Sequence, residues 1–122
     1  MSRPEAALHE AVVAFLQYAL PSDAVLFMIP NEGRRGGRAG MLDGARMKKM
    51  GLAAGMPDLC VLHDTFLYCI ELKTKKGRVT PVQKEMHARL LRAGAEVEIC
   101  RDVKAVERFL TGFIPLKARV AV

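Results

Sequence analysis

Apolar and polar residues follow two different spacings along this chain, and each spacing predicts one type of secondary structure. The first segment repeats its apolar side chains every three or four residues, which predicts an amphipathic helix with one buried stripe. That stripe consists of Leu8, Val12, Phe15 and Ala19. We expect the helix to stop near Pro21, because proline cannot continue it.

Four shorter apolar runs predict strands, and they cover residues 25–29, 58–63, 66–73 and 96–100. We interpret the first run as a buried strand. Only Asp64 and Thr65 separate the second run from the third, which predicts a β-hairpin. The hairpin would also bring Cys60 opposite Cys69, and we interpret these two as reduced thiols of the core.

Helix signals follow the hairpin and the last strand. Thr80 is a typical cap with Pro81 at the first helical position, and this helix should end at Gly94. Asp102 and Gly112 bound a short helix over residues 103–110. A further helical stretch is expected over residues 41–50. The resulting order of elements predicts an α/β fold with a small mixed β-sheet flanked by helices.

Length and charge narrow the class of protein. The chain has 122 residues, so we expect one domain over residues 1–122. Its formal net charge of +6 favours a polyanionic partner. A membrane partner is not expected, because no apolar run approaches the ~20 residues of a spanning helix. The three cysteines lie far apart without a CxxC motif, which fits a reducing compartment such as the cytoplasm.

The predicted hairpin carries the strongest candidate chemistry. With a two-residue loop, His63 pairs with Phe66, and counting back along both strands sets Asp58 opposite Glu71. Opposed side chains have Cβ atoms roughly 4.5–5.5 Å apart. Two carboxylates this close repel each other unless a proton or a cation joins them, and Mg²⁺ prefers such oxygen ligands. A shift of one residue in the register would instead put the two carboxylates on opposite faces.

Lys73 shares a face with Glu71, because alternate residues of a strand point the same way. Its ammonium could orient or deprotonate a water molecule, or stabilise negative charge on a phosphate. The alternative for Asp58, Glu71 and Lys73 is a surface ion pair at an exposed strand end. We favour a site for the three together.

These residues resemble the motif of PD-(D/E)XK nucleases, and more narrowly the stand-alone VRR-NUC nucleases of phages and bacteria. The similar segments are Gly55-Met56-Pro57-Asp58, Ile70-Glu71-Leu72-Lys73, Lys76-Gly77-Arg78 and Gln83. The resemblance implies a restriction-endonuclease-like αβββαβ core. It also implies that Asp58, Glu71 and the Leu72 carbonyl bind Mg²⁺ or Mn²⁺. Lys73 would then assist the attacking water.

Two further residues enter the expected catalytic set through the resemblance. Gln83 would support the site from the helix that follows the hairpin, and members of the family carry a Glu near the start of the first helix. We choose Glu5 for that role, because its spacing from Val12 puts it on the buried stripe. Both residues also occupy capping-box positions, so each has an alternative as a helix cap.

Basic residues form two clusters that we assign to nucleic-acid binding. The first follows the first strand and the second follows the Glu-x-Lys strand, and a solvated charged loop is the alternative for each. Asn31 matches an Asn common in the subfamily, although a turn-forming role is also typical. The assigned residues are Asn31, Arg34, Arg35, Arg38, Lys48, Lys49, Lys75, Lys76 and Arg78.

The candidate site, the charge and the resemblance together predict a metal-dependent DNA endonuclease that acts on duplex or branched DNA. Selectivity for DNA structure is implied by the resemblance alone. By resemblance, the protein would work in the cytoplasm of a bacterium or of a phage-infected host cell. One alternative is a nucleic-acid-binding module that does not hydrolyse. The other is a dimeric Holliday junction resolvase, because the apolar tail after residue 112 could form a homodimer or pack on its own chain. His87 is given no role.

Overall fold

A four-stranded mixed sheet with the order β1-β2-β3-β4 forms the centre of the fold. The computed structural model describes residues 2–30 and 45–121. The first three strands run antiparallel to one another, and β4 runs parallel to β3. The strands are β1 (Val25–Met28), β2 (Leu59–His63), β3 (Phe66–Leu72) and β4 (Glu96–Cys100). The predicted α/β fold class is confirmed.

In the described part of the chain, three helices flank the sheet, and the second and third begin at the predicted caps Thr80 and Asp102. They are α1 (Arg3–Ala19), α2 (Pro81–Arg92) and α3 (Val103–Thr111). The Ser2 side chain accepts a hydrogen bond from the Glu5 amide, Thr80 caps α2, and the Asp102 carboxylate accepts the Ala105 amide. Residues 45–49 are also helical, and Met50 lies in the turn that follows them. Residues 41–44 of the predicted stretch lie outside the described residues.

The two faces of the sheet are covered by different helices. Alternate residues of β3, such as Tyr68 and Ile70, belong to the main core that α1 and α3 complete through Leu16 and Leu110. The opposite face carries a smaller cluster around Cys60 and Cys69, with Leu90 of α2 packed against it. Glu71 follows Cys69 by two residues and therefore points to the α2 face.

The first predicted stripe and strand need correction in detail. Val12 and Ala19 are buried as predicted, and Leu8 and Phe15 pack partly buried on the core. The β1 segment is not a buried strand, since it lies at the sheet edge with Val25 56 % exposed. An apolar run predicts a strand but carries no information about its position in the sheet.

The apolar tail packs on its own chain. Ile114 is almost fully buried in the main core, and the Lys117 amide donates to the Ala19 carbonyl at 2.7 Å. Further along, the Val120 amide donates to the Glu107 carboxylate. These contacts favour the alternative in which the tail completes the fold of one molecule.

The hairpin has the predicted register. His63 pairs with Phe66, and Cys60 pairs with Cys69 with their sulfur atoms 3.8 Å apart. Asp64 and Thr65 form the turn, and both have positive φ angles, of 49° and 68°. Two consecutive positive φ angles are characteristic of a type I′ turn, whose twist matches that of the two strands. A β-branched residue such as Thr65 is strained in this conformation.

We expect Thr65→Gly to stabilise the protein by about 1 kcal/mol, because glycine adopts the left-handed conformation without the Cβ clash. The midpoint of thermal unfolding should rise by a few degrees. The matched variant Thr65→Ala keeps a Cβ atom and should gain less. Equal or lower stability of Thr65→Gly relative to wild type would contradict the turn geometry.

Candidate active site

Glu71 is a buried carboxylate in the middle of the candidate site. It lies near the end of β3 on the α2 face, and only 1 % of its surface is exposed. A carboxylate in such a position is unfavourable unless polar groups compensate for the lost water. These groups come from α2 and from Lys73, directly after β3.

Both oxygens of Glu71 have partners on α2. The Gln83 side-chain Nε2 donates to Oε2 at 3.4 Å, and the His87 Nε2 lies 3.1 Å from Oε1. Gln83 and His87 are four residues apart, so they share one side of the helix. The helix thereby holds the carboxylate by two separate hydrogen bonds.

Gln83 is a helix cap and a contact of Glu71 at the same time. Its side-chain Oε1 accepts a hydrogen bond from the Thr80 backbone amide at 2.9 Å, while the Gln83 backbone amide donates to the Thr80 hydroxyl at 3.2 Å. The capping box fixes the orientation of the side-chain amide and leaves its NH₂ group for Glu71. The two alternatives considered for Gln83 are therefore compatible, and its catalytic role stays a prediction.

His87 is the site residue that the sequence analysis missed. Burial, with a contribution from the nearby Lys73 ammonium, lowers the pKa of its imidazole, and the Asp58 carboxylate acts in the opposite direction. A neutral imidazole at pH 7 has one N–H, which the Glu71 carboxylate assigns to Nε2. The available signal was its position, one helical turn after Gln83 on a helix facing the Glu-x-Lys strand.

Asp58 lies directly before β2 and reaches the end of β3. Its Oδ2 accepts the Leu72 amide at 2.8 Å. Leu59 pairs with Ile70, so continuing the ladder by one residue brings Asp58 level with Glu71, as the predicted register requires. The two acidic residues therefore lie level across the hairpin, and Asp58 is hydrogen-bonded to the residue that follows Glu71.

Lys73 follows β3 and lies on the same face as Glu71, as predicted. Its Nζ is 3.9 Å from Glu71 Oε2, and its side chain is 16 % exposed. The Lys73 amide donates to the Cys100 carbonyl at 3.1 Å, which extends the pairing of β3 with β4 by one residue. The ammonium thus lies between the buried carboxylate and solvent.

Other predicted residues lie away from these contacts. Glu5 is exposed in the first turn of α1, so its expected place on the buried stripe is wrong: the buried side of α1 begins only at Leu8. Its catalytic role stays a prediction. Asn31, Arg34, Arg35 and Arg38 lie outside the described residues. The other residues assigned to nucleic-acid binding are all exposed, and they are Lys48, Lys49, Lys75, Lys76 and Arg78.

The cysteines are reduced and buried beneath the site. Cys60 and Cys69 occupy the pair of positions one step further from Asp58 and Glu71 along the same face. Burial raises the pKa of the Cys100 thiol to about 12. Within residues 2–30 and 45–121, no group of three or more His, Cys, Asp or Glu side chains has an arrangement that could hold a metal ion.

The mixed sheet, with Pro57-Asp58 and Glu71-Leu72-Lys73 at one end of its central strands, defines a nuclease fold of the PD-(D/E)XK superfamily. The family model described as the VRR-NUC domain matches residues 33–104, more than half of the chain. The protein therefore belongs to the VRR-NUC domain family, which is a family of nucleases. No curated protein matches the sequence.

Solved structures agree with this fold. One VRR-NUC domain protein is 20 % identical with a TM-score of 0.65, covering all of this chain and 97 % of the other. A VRR-NUC domain with 18 % identity has a TM-score of 0.59, covering 92 % of this chain and 99 % of the other. In the described part of the chain, none of the helices has the length and apolar character needed to span a membrane.

Gly55 sets the distance between the Asp58 segment and α2. Its φ angle is +79°, and a Cβ atom there would lie 2.5 Å from the Val82 carbonyl oxygen and 3.1 Å from the Gln83 nitrogen. Gly94 has a similar φ of +108° but open space around its missing Cβ. An added Cβ atom would therefore cause only backbone strain at Gly94, but both strain and a steric clash at Gly55.

We expect Gly94→Ala to cost about 1–2 kcal/mol of stability through strain alone. Gly55→Ala should cost a further 1–3 kcal/mol, roughly, because Asp58 and α2 must move apart. Denaturant unfolding of both variants measures the difference. Equal losses would contradict the close packing of the Gly55 segment on α2.

Proposed function

We propose that this protein is a metal-dependent DNA endonuclease that hydrolyses phosphodiester bonds and selects for DNA structure. The observation that carries the proposal is the buried Glu71 carboxylate, which is held by α2 and lies 3.9 Å from the Lys73 ammonium. Asp58 is hydrogen-bonded to the next residue of the same strand. A buried acid, a second acid and an ammonium next to a basic loop match the needs of phosphodiester hydrolysis. Membership in a nuclease family supports the same reaction class.

The donor set fits a hard divalent cation. Asp58 and Glu71 would supply carboxylate oxygens, and Leu72, whose amide donates to Asp58, would supply its carbonyl oxygen. Oxygen ligands of this type suit Mg²⁺ and Mn²⁺, which keep several water molecules as additional ligands. When bound, such a cation would polarise the scissile phosphate and make a water molecule more acidic.

The protein's own side chains then have distinct tasks. The Lys73 ammonium would orient the attacking water or stabilise the negative charge that develops on the phosphate. Gln83 and His87 would keep the Glu71 carboxylate in one orientation, since each holds a different oxygen. Glu5 remains a further candidate for the catalytic set.

DNA is the proposed substrate because charge and composition favour contacts with the phosphate backbone. The net charge is +6, and aromatic residues make up only 6 % of the chain, which disfavours stacking on unpaired bases. The exposed Lys75, Lys76 and Arg78 follow Lys73 directly. Asn31, the arginines of residues 34–38, Lys48 and Lys49 are proposed to contribute to the same interface.

We expect Asp58→Ala and Lys73→Ala to lower cleavage by at least about 100-fold while DNA affinity is retained. Each removes a group proposed to act on the reacting phosphate rather than on binding. Cleavage of labelled duplex and branched DNA with Mg²⁺, Mn²⁺ or EDTA measures the effect. Glu85→Ala and Lys104→Ala are matched controls, since both side chains are exposed on helices. Normal cleavage by Asp58→Ala would refute the site.

The same assay tests the two alternatives. DNA binding without cleavage in any metal would identify a binding module instead of an enzyme. A dimeric resolvase would cut four-way junctions in symmetric pairs and sediment as a dimer. The tail contacts with Ala19 and Glu107 no longer support such a dimer, because they are satisfied within one chain.

We expect His87→Ala to weaken Mn²⁺ binding by about 10- to 100-fold, because the Glu71 carboxylate loses the donor on Oε1. His87→Gln keeps an N–H donor and should recover part of the affinity. Calorimetric titration of the protein with Mn²⁺ measures both, with His9→Ala as the control on α1. Unchanged affinity in His87→Ala would contradict the positioning role.

A further inference from the structure

The carboxyl ends of β3 and β4 lie side by side, because the two strands are parallel. The last contact between them joins the Lys73 amide to the Cys100 carbonyl. The next residue of each strand therefore emerges at the same edge of the sheet. Arg101 leaves β4 directly beside the turn that follows Lys73.

Arg101 holds this turn by its carbonyl groups. One guanidinium nitrogen, Nη1, donates to the Thr74 and Gly77 carbonyls, each at 2.8 Å, and approaches the Lys75 carbonyl at 3.4 Å. The Gly77 amide closes the turn by donating to the Thr74 carbonyl at 3.0 Å. Three peptide groups of the turn are thus oriented by a single cation.

The orientation of these peptides gives the other side of the turn an anion-binding character. The C=O and N–H of a trans peptide point in opposite directions, and the described residues include no cis peptide. With the carbonyls directed at Arg101, the N–H groups of Lys75, Lys76 and Arg78 point away from it. The N–H groups of Lys75 and Lys76 are successive, and successive N–H groups in a turn can form a concave binding site for an anion such as phosphate.

Lys75, Lys76 and Arg78 also carry exposed cationic side chains. Main-chain N–H groups and Lys or Arg side chains are both among the groups with which proteins contact DNA phosphates. The guanidinium of Arg101 faces the carbonyls instead, so its contribution is to shape the turn. The N–H groups and basic side chains of the turn would therefore contact the phosphate, while Arg101 would hold the turn in shape.

We propose that residues 74–78 form a binding site for a backbone phosphate of DNA, and that Arg101 is the positioning residue that shapes this site. The inference rests on the proposed function, because it takes DNA as the substrate. The site immediately follows Lys73, so the bound phosphate would fix the DNA strand relative to Asp58, Glu71 and Lys73. Arg101 acts through the turn and not through its own charge.

The test compares Arg101→Lys, Arg101→Gln and the control Arg92→Gln in binding to a short blunt DNA duplex with EDTA present. Lysine keeps the charge but lacks the planar set of donors that reaches several carbonyls. Arg92 is exposed in the last turn of α2, at the far end from the turn after Lys73, and its variant loses the same charge.

We expect both Arg101 variants to weaken duplex binding by about tenfold, and the slope of log affinity against log salt to fall by about 0.9, the loss of one phosphate contact. Arg92→Gln should change both quantities less. In the wild type, the amide resonances of Lys75, Lys76 and Arg78 should shift when the duplex is added, and Arg101→Lys should abolish these shifts. Thermal unfolding checks that each variant is folded.

The outcomes separate this inference from the proposed function. Wild-type affinity in Arg101→Lys, or amide shifts that persist in it, would refute the positioning role while leaving cleavage by Asp58, Glu71 and Lys73 intact. Absence of duplex binding by the wild-type protein would refute the phosphate site together with the DNA substrate. Binding lost in Arg101→Lys with no cleavage by the wild type would support the site and refute the nuclease.

Discussion

The burial of the Glu71 carboxylate is the constraint on which the rest of the site depends. A carboxylate that is 1 % exposed needs donors for both oxygens, and α2 provides one for each. Gln83 and His87 supply these donors from one side of α2. The capping box at the start of α2 orients the Gln83 side chain for this contact. The position of Lys73 follows from the same strand, since it is two residues from Glu71. One buried carboxylate therefore connects the end of β3 with the first turns of α2.

The β2–β3 hairpin determines the position of Asp58 relative to Glu71. The two-residue turn sets the register, and the register brings Asp58 level with Glu71 and lets it accept the Leu72 amide. Gly55 allows the preceding segment to pack against the start of α2 without a Cβ clash. The same strand end leads into the turn shaped by Arg101. The proposed cleavage site and the proposed phosphate site thus share one end of the sheet.

Much of this was predictable from the sequence because it depends on local signals. The turn at Asp64-Thr65 fixed the pairing of Cys60 with Cys69, and the caps Thr80 and Asp102 fixed two helix starts. The exposure of β1 was not predictable, since an apolar run looks alike at the centre and at the edge of a sheet. His87 was missed because its contact depends on the distance of α2 from the sheet, which no local pattern encodes. Glu5 was misplaced because a helical period does not show where burial begins.

Diffraction from crystals soaked in Mn²⁺ would show whether Asp58 and Glu71 hold a divalent cation beside Lys73. We expect an anomalous scattering peak at ~2.1 Å, the distance typical of a small hard cation, from carboxylate oxygens of Asp58 and Glu71 and from the Leu72 carbonyl oxygen. The peak should disappear in Asp58→Ala. A peak bound by other residues, in a protein that still cleaves DNA with Mn²⁺, would refute the proposed metal site.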